Sequence, residues 1–210
     1  MASIEDLKKK SSLTILLPGG ELPLAILHKV NELCARYRFG IYLSTVQNLR
    51  LYGVDEKDLG PIKSELAAVG AEFKGPGKFP LPKICIGSRS CNLGIIDTMD
   101  LSRKILDRFK GRENVKPKFK IAISGCPAVC SDAMLTDIGL VATRVGFDIY
   151  AGGKGGPTPK IGRRIVRGVD EEKALMIIEE LVDFHDRKTE KKQRMAKLLD
   201  DPEFPYPDAV

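Results

Sequence analysis

Apolar positions recur along this chain in two periods, and the changes of period mark out its elements. Leu13-Thr14-Ile15-Leu16-Leu17 is a short apolar run cut off by Pro18-Gly19-Gly20, which predicts a strand. From 22 to 37 the spacing becomes helical: Leu24, Leu27, Val30, Leu33 and Cys34 share one predicted stripe, and Gly40 is the expected stop. Residues 41–44 and 49–54 return to strand character around Thr45–Asn48. A second helix is expected from about Glu56 to Val69, with Gly70 behind it. The order β-α-β-β-α over residues 1–74 predicts half of a ferredoxin-like sandwich.

Residues 75–83 are rich in Gly and Pro and read as a linker or docking strap. A helix from about Met99 to Phe109 is expected, then a strand over 116–124. Residues 138–143 and 147–151 read as paired strands, followed by a Gly/Pro/Lys loop from 152 to 162. Over 170–188, Ala174, Ile177, Ile178, Leu181, Val182 and His185 fall on one face of an amphipathic helix. The fold class is therefore α+β. Its expected divisions are a half-domain at 1–74, a second α+β domain at 75–187 and a charged tail at 188–210, read as a solvated helix and a loose end.

Composition narrows the function classes. The 210 residues carry a formal net charge of +6, which suits an anionic cofactor, a small anion or an acidic partner. Aromatic residues make up 6% and Trp is absent, so a base-stacking surface for nucleic acid is not favoured. No apolar run is long enough to span a membrane, and the first apolar stretch is too short for a secretory signal. The expected location is the cytoplasm. Five cysteines, an odd number without an export signal, argue against a disulfide framework.

Four of those cysteines form two close pairs: Cys85 and Cys91 with five residues between them, Cys126 and Cys130 with three. Paired cysteines in a reducing compartment point to metal or redox chemistry. Two loops that each offer two thiolates can hold an iron–sulfur cluster. Structural zinc is the alternative, although zinc ribbons space their cysteines two to four apart. Gly87, Gly94 and Gly125 allow the backbone to turn tightly around such a centre. Cys34 has no partner in sequence and reads as a small buried hydrophobe.

The string Cys85-Ile86-Gly87-Ser88-Arg89-Ser90-Cys91-Asn92-Leu93-Gly94, with Lys118-Phe119-Lys120 and then Ser124-Gly125-Cys126-Pro127-Ala128-Val129-Cys130, resembles the siroheme-containing sulfite and nitrite reductases. Leu17-Pro18-Gly19-Gly20, the Thr45–Val54 segment and the Gly152–Gly156 loop are similar to other parts of that family. The resemblance covers roughly residues 13–185. It implies a ferredoxin-like half-domain followed by an α+β domain that binds siroheme and a [4Fe–4S] cluster. Cys85, Cys91, Cys126 and Cys130 would hold the cluster, and Cys130 would also be the axial ligand of the siroheme iron. The implied reaction is the six-electron reduction of sulfite to sulfide or nitrite to ammonia.

Siroheme is rich in carboxylates, and burying them needs cations and backbone donors. Arg50, Arg89, Lys154, Arg163 and Arg164, with Gly152 and Gly153, are the candidate siroheme-binding residues. Lys118 and Lys120 match the family's substrate lysines; alternating on a strand, they are expected to point to one side. Two features depart from the pattern. Thr14, Tyr42 and Val46 stand where the family places arginines. The larger enzymes also contain two copies of this unit and this chain has one, so a symmetric homodimer would rebuild their junction. No flavin or nicotinamide motif is present, so a separate donor protein such as a ferredoxin is expected. Three classes follow: a compact sulfite or nitrite reductase, an electron-transfer or auxiliary subunit without efficient turnover, and a nucleic-acid binder supported by net charge alone.

Overall fold

The computed structural model describes residues 10–109, 111–113, 115–116, 118–191 and 193–210. The chain divides into two compact units, 1–75 and 76–210.

The first unit contains β1 (Ser11–Ile15), α1 (Leu24–Tyr37), β2 (Gly40–Leu43), β3 (Leu49–Val54) and α2 (Leu59–Ala68). Its antiparallel sheet has the order β1-β3-β2, as the half-sandwich reading expects. Ile15, Leu33, Leu51, Val54, Ile62 and Leu66 form the centre of its core. The buried stripe of α1 is Ile26, Val30 and Leu33; Leu24 and Leu27 are 65% and 46% exposed, which corrects the predicted face. Both stripes fit helical spacing, and the sheet selects one. Gly40 does not end the helix. Arg38 does so in the left-handed region (φ 57°), its N–H donating to the Cys34 carbonyl at 2.9 Å. Gly40 instead opens β2 opposite Tyr52, where a Cβ would lie 2.2 Å from the tyrosine ring.

The second unit is built on a five-stranded sheet: β4 (Lys83–Ile84), β5 (Ile121–Ser124), β6 (Ile138–Thr143), β7 (Gly146–Ala151) and β8 (Arg163–Val169), in that spatial order. β4, β5 and β6 run parallel, and β7 and β8 complete the sheet antiparallel. All four residues of β5 are buried, as a central strand requires. Helices α3 (Thr98–Phe109) and α4 (Glu171–Lys188) pack into the same core. The six predicted apolar-face residues of α4 are all buried, and Asp170 caps the helix by accepting from the Lys173 N–H at 2.8 Å.

Two expectations for this unit are corrected, and one strand is added. β5 begins at Ile121, not at 116, because Lys118 turns the chain at φ 76°. β8, at Arg163–Val169 just past the expected 152–162 loop, is a strand the apolar pattern does not predict; its arginines hide an extended segment whose backbone β7 pairs. The segment after α4 is not loose. Met195, Leu198, Leu199 and Phe204 are buried in the core, and the Phe204 ring meets Phe184 edge-on at 5.4 Å. Among the described residues no helix is long and apolar enough to cross a membrane.

Candidate functional site

The parallel pairing of β4 with β5 places both cysteine loops at the same end of the sheet. Ile84 pairs with Ile123, and the Cys85 N–H donates to the Ile123 carbonyl at 3.3 Å. Cys85 therefore leaves β4 beside the point where Gly125 and Cys126 leave β5. Crevices beyond the carboxyl ends of parallel strands are where open α/β sheets bind their ligands.

Glycines interlock the loops. A Cβ on Gly94 would stand 2.4 Å from the Gly87 carbonyl carbon, and one on Gly125 would stand 3.0 Å from Gly87 Cα and 3.4 Å from Cys85 Sγ. The Ile95 N–H donates to the Gly125 carbonyl at 2.8 Å, and Thr98 Oγ1 donates to the Cys85 carbonyl at 2.5 Å. The Gly125 N–H points at Cys85 Sγ across 3.1 Å, the type of donor that stabilises a metal-bound thiolate. Val129, between Cys126 and Cys130, is held at φ 55°, a strained conformation for a β-branched residue. Ser124 and Ser131, both buried, share a 2.6 Å hydrogen bond beneath that loop. Lys83 of β4 pairs at 2.5 Å with Asp132, two residues beyond Cys130.

Among the described residues no set of three or more His, Cys, Asp or Glu converges as a single-ion site would require. A cubane holds its thiolates on separate iron corners, so its ligands need not meet at one point. An all-sulfur donor set on two glycine-interlocked loops, with a backbone N–H aimed at one sulfur, fits such a cluster. Cys126 is buried, Cys85 and Cys91 are half-buried, and Cys130 is exposed. Arg89 belongs to this end. Its Nε donates to both Asp97 oxygens at 3.0 Å, and the Asp97 carboxylate also accepts from the Met99 and Asp100 N–H groups at the start of α3. Burial pushes the Asp97 carboxyl up, but the Asp100 N–H, the Arg89 guanidinium and the Met99 N–H outweigh it and hold the group below the usual carboxylate range.

The other anion-handling candidates of this unit lie at the opposite end. Lys118 and Lys120 precede β5, and both are exposed on either side of the buried Phe119. Their alternation on a strand does not occur, because the strand starts after them. Gly152, Gly153 and Lys154 follow β7, and Arg163 opens β8 opposite Ala151. The register Ile121–Ile138–Ala151–Arg163 runs across the sheet and aligns these segments. Four residues of β5, on the order of 13 Å, separate the lysine turn from the cysteine loop.

Several candidates are already engaged. Arg163 donates to the carbonyls of Leu199 and Pro207 at 3.1 and 2.9 Å and pairs with Asp200 at 3.0 Å. Arg164 donates to the Val210 carbonyl at 2.6 Å. These partners make both arginines holders of the C-terminal segment. Gly152 and Gly153 are glycines for packing reasons: a Cβ would meet the Leu199 side chain at 2.6 Å and the Met134 carbonyl at 2.2 Å respectively. Lys154 bridges to Lys160 through the backbone, and its Nζ lies 3.4 Å from Thr158 Oγ1. In the first unit, Arg50 donates to Ser12 Oγ at 2.8 Å and stands between Thr14 and Tyr42 in the sheet register. Two of the positions where arginines were expected thus flank Arg50.

Sequence reasoning missed Asp137 and Arg194. Asp137 is fully buried, and its carboxylate accepts from Arg194 Nε at 2.8 and 2.9 Å, from the Met195 N–H at 2.8 Å and from the Lys120 N–H at 2.9 Å. Burial pushes its carboxyl up, against the pull of Arg194 and the two N–H donors. The only sequence signal was an acidic residue opening the apolar run of β6.

Comparison with known proteins follows the same two units. Residues 81–202 match the nitrite and sulphite reductase 4Fe-4S domain, and residues 5–69 match the nitrite/sulfite reductase ferredoxin-like half domain. The chain belongs to this siroheme-dependent nitrite and sulphite reductase family, whose cofactors are a [4Fe–4S] cluster and siroheme. It is 31% identical to the nitrite reductase [NAD(P)H] of Emericella nidulans over 186 residues, which is 88% of this chain and 17% of that protein. It is 28% identical to the assimilatory-type sulfite reductase of Nitratidesulfovibrio vulgaris, covering 87% of this chain and 84% of that one. Of the Escherichia coli nitrite reductase (NADH) large subunit it spans 22%. Two solved structures share the fold. The Mycobacterium tuberculosis NirA protein superposes with a TM-score of 0.75 at 20% identity, over 89% of this chain and 37% of that one. Dissimilatory sulfite reductase I does so with a TM-score of 0.75 at 12% identity, over 90% and 66%.

Proposed function

We propose that this chain is a compact reductase that converts sulfite to sulfide, or nitrite to ammonia, by six-electron reduction. The observation that carries the reading is the pair of glycine-interlocked cysteine loops at the adjoining ends of β4 and β5. In this reading Cys85, Cys91, Cys126 and Cys130 hold the cluster. Cys130, the exposed thiol of the four, would also hold the siroheme iron. When bound, the siroheme and cluster would supply the electrons for reduction of the anion.

The chain's own residues supply the rest. The Lys118 and Lys120 ammonium groups attract the anion and donate protons to departing oxygen. Arg50, Arg89 and Lys154 are the cations proposed for the siroheme carboxylates. The lysines and the cluster loops of one chain lie at opposite ends of β5. This favours a symmetric homodimer in which one chain's lysines serve the cofactor of its partner. Electrons come from a separate protein such as a ferredoxin, and the net charge of +6 suits an acidic donor. Five free thiols suit the cytoplasm.

Thr14, Tyr42 and Val46 favour a second reading, an electron-transfer or auxiliary subunit that keeps the cofactors without efficient turnover. Supplying sulfite or nitrite with a reduced dye to the cofactor-loaded protein separates the two. Sulfide or ammonia formation is expected. Fully loaded protein that forms neither is the auxiliary subunit.

A further inference from the structure

We propose that Asp137 and Arg194 form a clasp that fixes the Lys118–Lys120 turn and the Gly152–Lys154 loop, making the C-terminal segment a positioning element for the bound anion. The positional part stands on geometry alone; the link to the anion rests on the reductase reading.

The clasp joins four segments. One Asp137 oxygen accepts the Lys120 N–H at 2.9 Å, and the other accepts the Met195 N–H at 2.8 Å. The Asp137 carbonyl accepts the Gly152 N–H at 2.9 Å. Arg194 closes the ring: its Nε is shared between both Asp137 oxygens, and its Nη2 donates to the Gly153 carbonyl at 2.7 Å. The Lys120 carbonyl is held as well, accepting from the Ile138 N–H at 3.1 Å. Lys120 therefore has both backbone polar groups fixed while its side chain stays exposed.

A second contact reinforces the first. The buried His185 of α4 packs its ring 4.9 Å from that of Phe119, the residue between the two lysines, and its Nε2 lies 3.0 Å from the Gln193 carbonyl. The residue before Arg194 and the residue before Lys120 thus meet the same imidazole. Apolar packing alone, through Met195, Leu198 and Leu199, would keep the tail on the sheet. A buried ion pair is weak evidence for added stability. Its directional bonds do what packing cannot: they fix the backbone from which the exposed Lys120 side chain begins.

The test uses full-length, cofactor-loaded protein with Arg194→Ala and Arg194→Lys. The readouts are amide hydrogen exchange, siroheme and cluster content, sulfite binding followed by the siroheme spectrum, and steady-state kinetics. Arg194→Ala should speed exchange at the Lys120 amide while interior β5 amides keep their rates. Sulfite affinity should fall and KM rise on the order of tenfold, with kcat lowered as well and cofactor content held. Arg194→Lys should restore part of each. Unchanged Lys120 exchange and sulfite affinity would overturn the clasp, as would an affinity loss that merely tracks loss of cofactor. If Arg194→Ala does not fold, Arg194→Lys and the unaltered protein decide: a Lys120 amide that exchanges freely in the unaltered protein overturns the proposal. If the unaltered protein neither binds nor reduces either anion, the reductase reading falls, and the exchange measurement alone decides the clasp.

Discussion

Gly94→Ala tests the interlocked loops at their tightest point. The added Cβ would stand 2.4 Å from the Gly87 carbonyl carbon, 2.5 Å from the Ser88 nitrogen and 2.6 Å from the Gly87 oxygen. All three are backbone atoms, so no rotamer change relieves the clash. To regain contact near 3.4 Å, the 87–88 segment must move by about 1 Å, carrying with it the Gly87 carbonyl that accepts the Cys91 N–H at 3.0 Å. Overpacking of this kind costs about 1–3 kcal/mol, enough to lower the melting temperature by roughly 2–12 °C for a chain of this size. Because the displaced atoms lie between Cys85 and Cys91, cluster content should fall with stability. The assay is iron and acid-labile sulfide per chain, alongside thermal unfolding. Gly60→Ala is the control: it lies in α2 with nothing within 4 Å of the new methyl, and should be neutral or stabilising by about 0.5 kcal/mol. Full cluster loading and an unshifted melting temperature in Gly94→Ala would refute the close approach of the loops.

Other consequences are equally direct. Lys118→Ala and Lys120→Ala should each raise the anion KM in dye-linked turnover with siroheme content unchanged, and unaltered kinetics would remove the lysines from the site. Phe204→Ala should destabilise the second unit by about 3–5 kcal/mol in denaturant unfolding, because the ring is 3% exposed and stacked edge-on with Phe184; a loose tail would show no effect. The Asp97 carboxyl is held below its ordinary pKa, so its link to Arg89 contributes stability above about pH 4 and loses it as pH falls further. Asp97→Asn should flatten that acid limb of the unfolding profile.

The helices were legible where one face alone could be buried. The α4 stripe from Ala174 to His185 is read correctly because its other face is charged apart from the exposed Met176. In α1, apolar residues cover more than one face, and only the sheet decides that Ile26 goes in and Leu24 stays out. The paired cysteines were legible because ligand spacing is local. Their meeting at one sheet end was not, since it depends on β4, a two-residue strand too short to leave a pattern. β8 was hidden by Arg163, Arg164 and Arg167, whose charges masked an extended backbone. The strand assigned to 116–124 starts only at Ile121, because nothing in the sequence signals the left-handed turn at Lys118. Asp137 and Arg194 are 57 residues apart, and their pairing is a product of the tertiary fold.

The central claim is that four cysteines on two interlocked loops hold a cluster joined to siroheme through Cys130. Metal, sulfide and siroheme analysis of protein purified without oxygen tests it most directly, with Cys130→Ser and Cys34→Ser compared in parallel. The account predicts about five iron and about four sulfide per chain with siroheme bands in the visible spectrum. Cys130→Ser should lose them, and Cys34→Ser, whose thiol donates to the Phe39 carbonyl at 3.0 Å in the other unit, should keep them. A colourless protein containing zinc and no sulfide, or a Cys130→Ser variant with an unchanged spectrum, would contradict it.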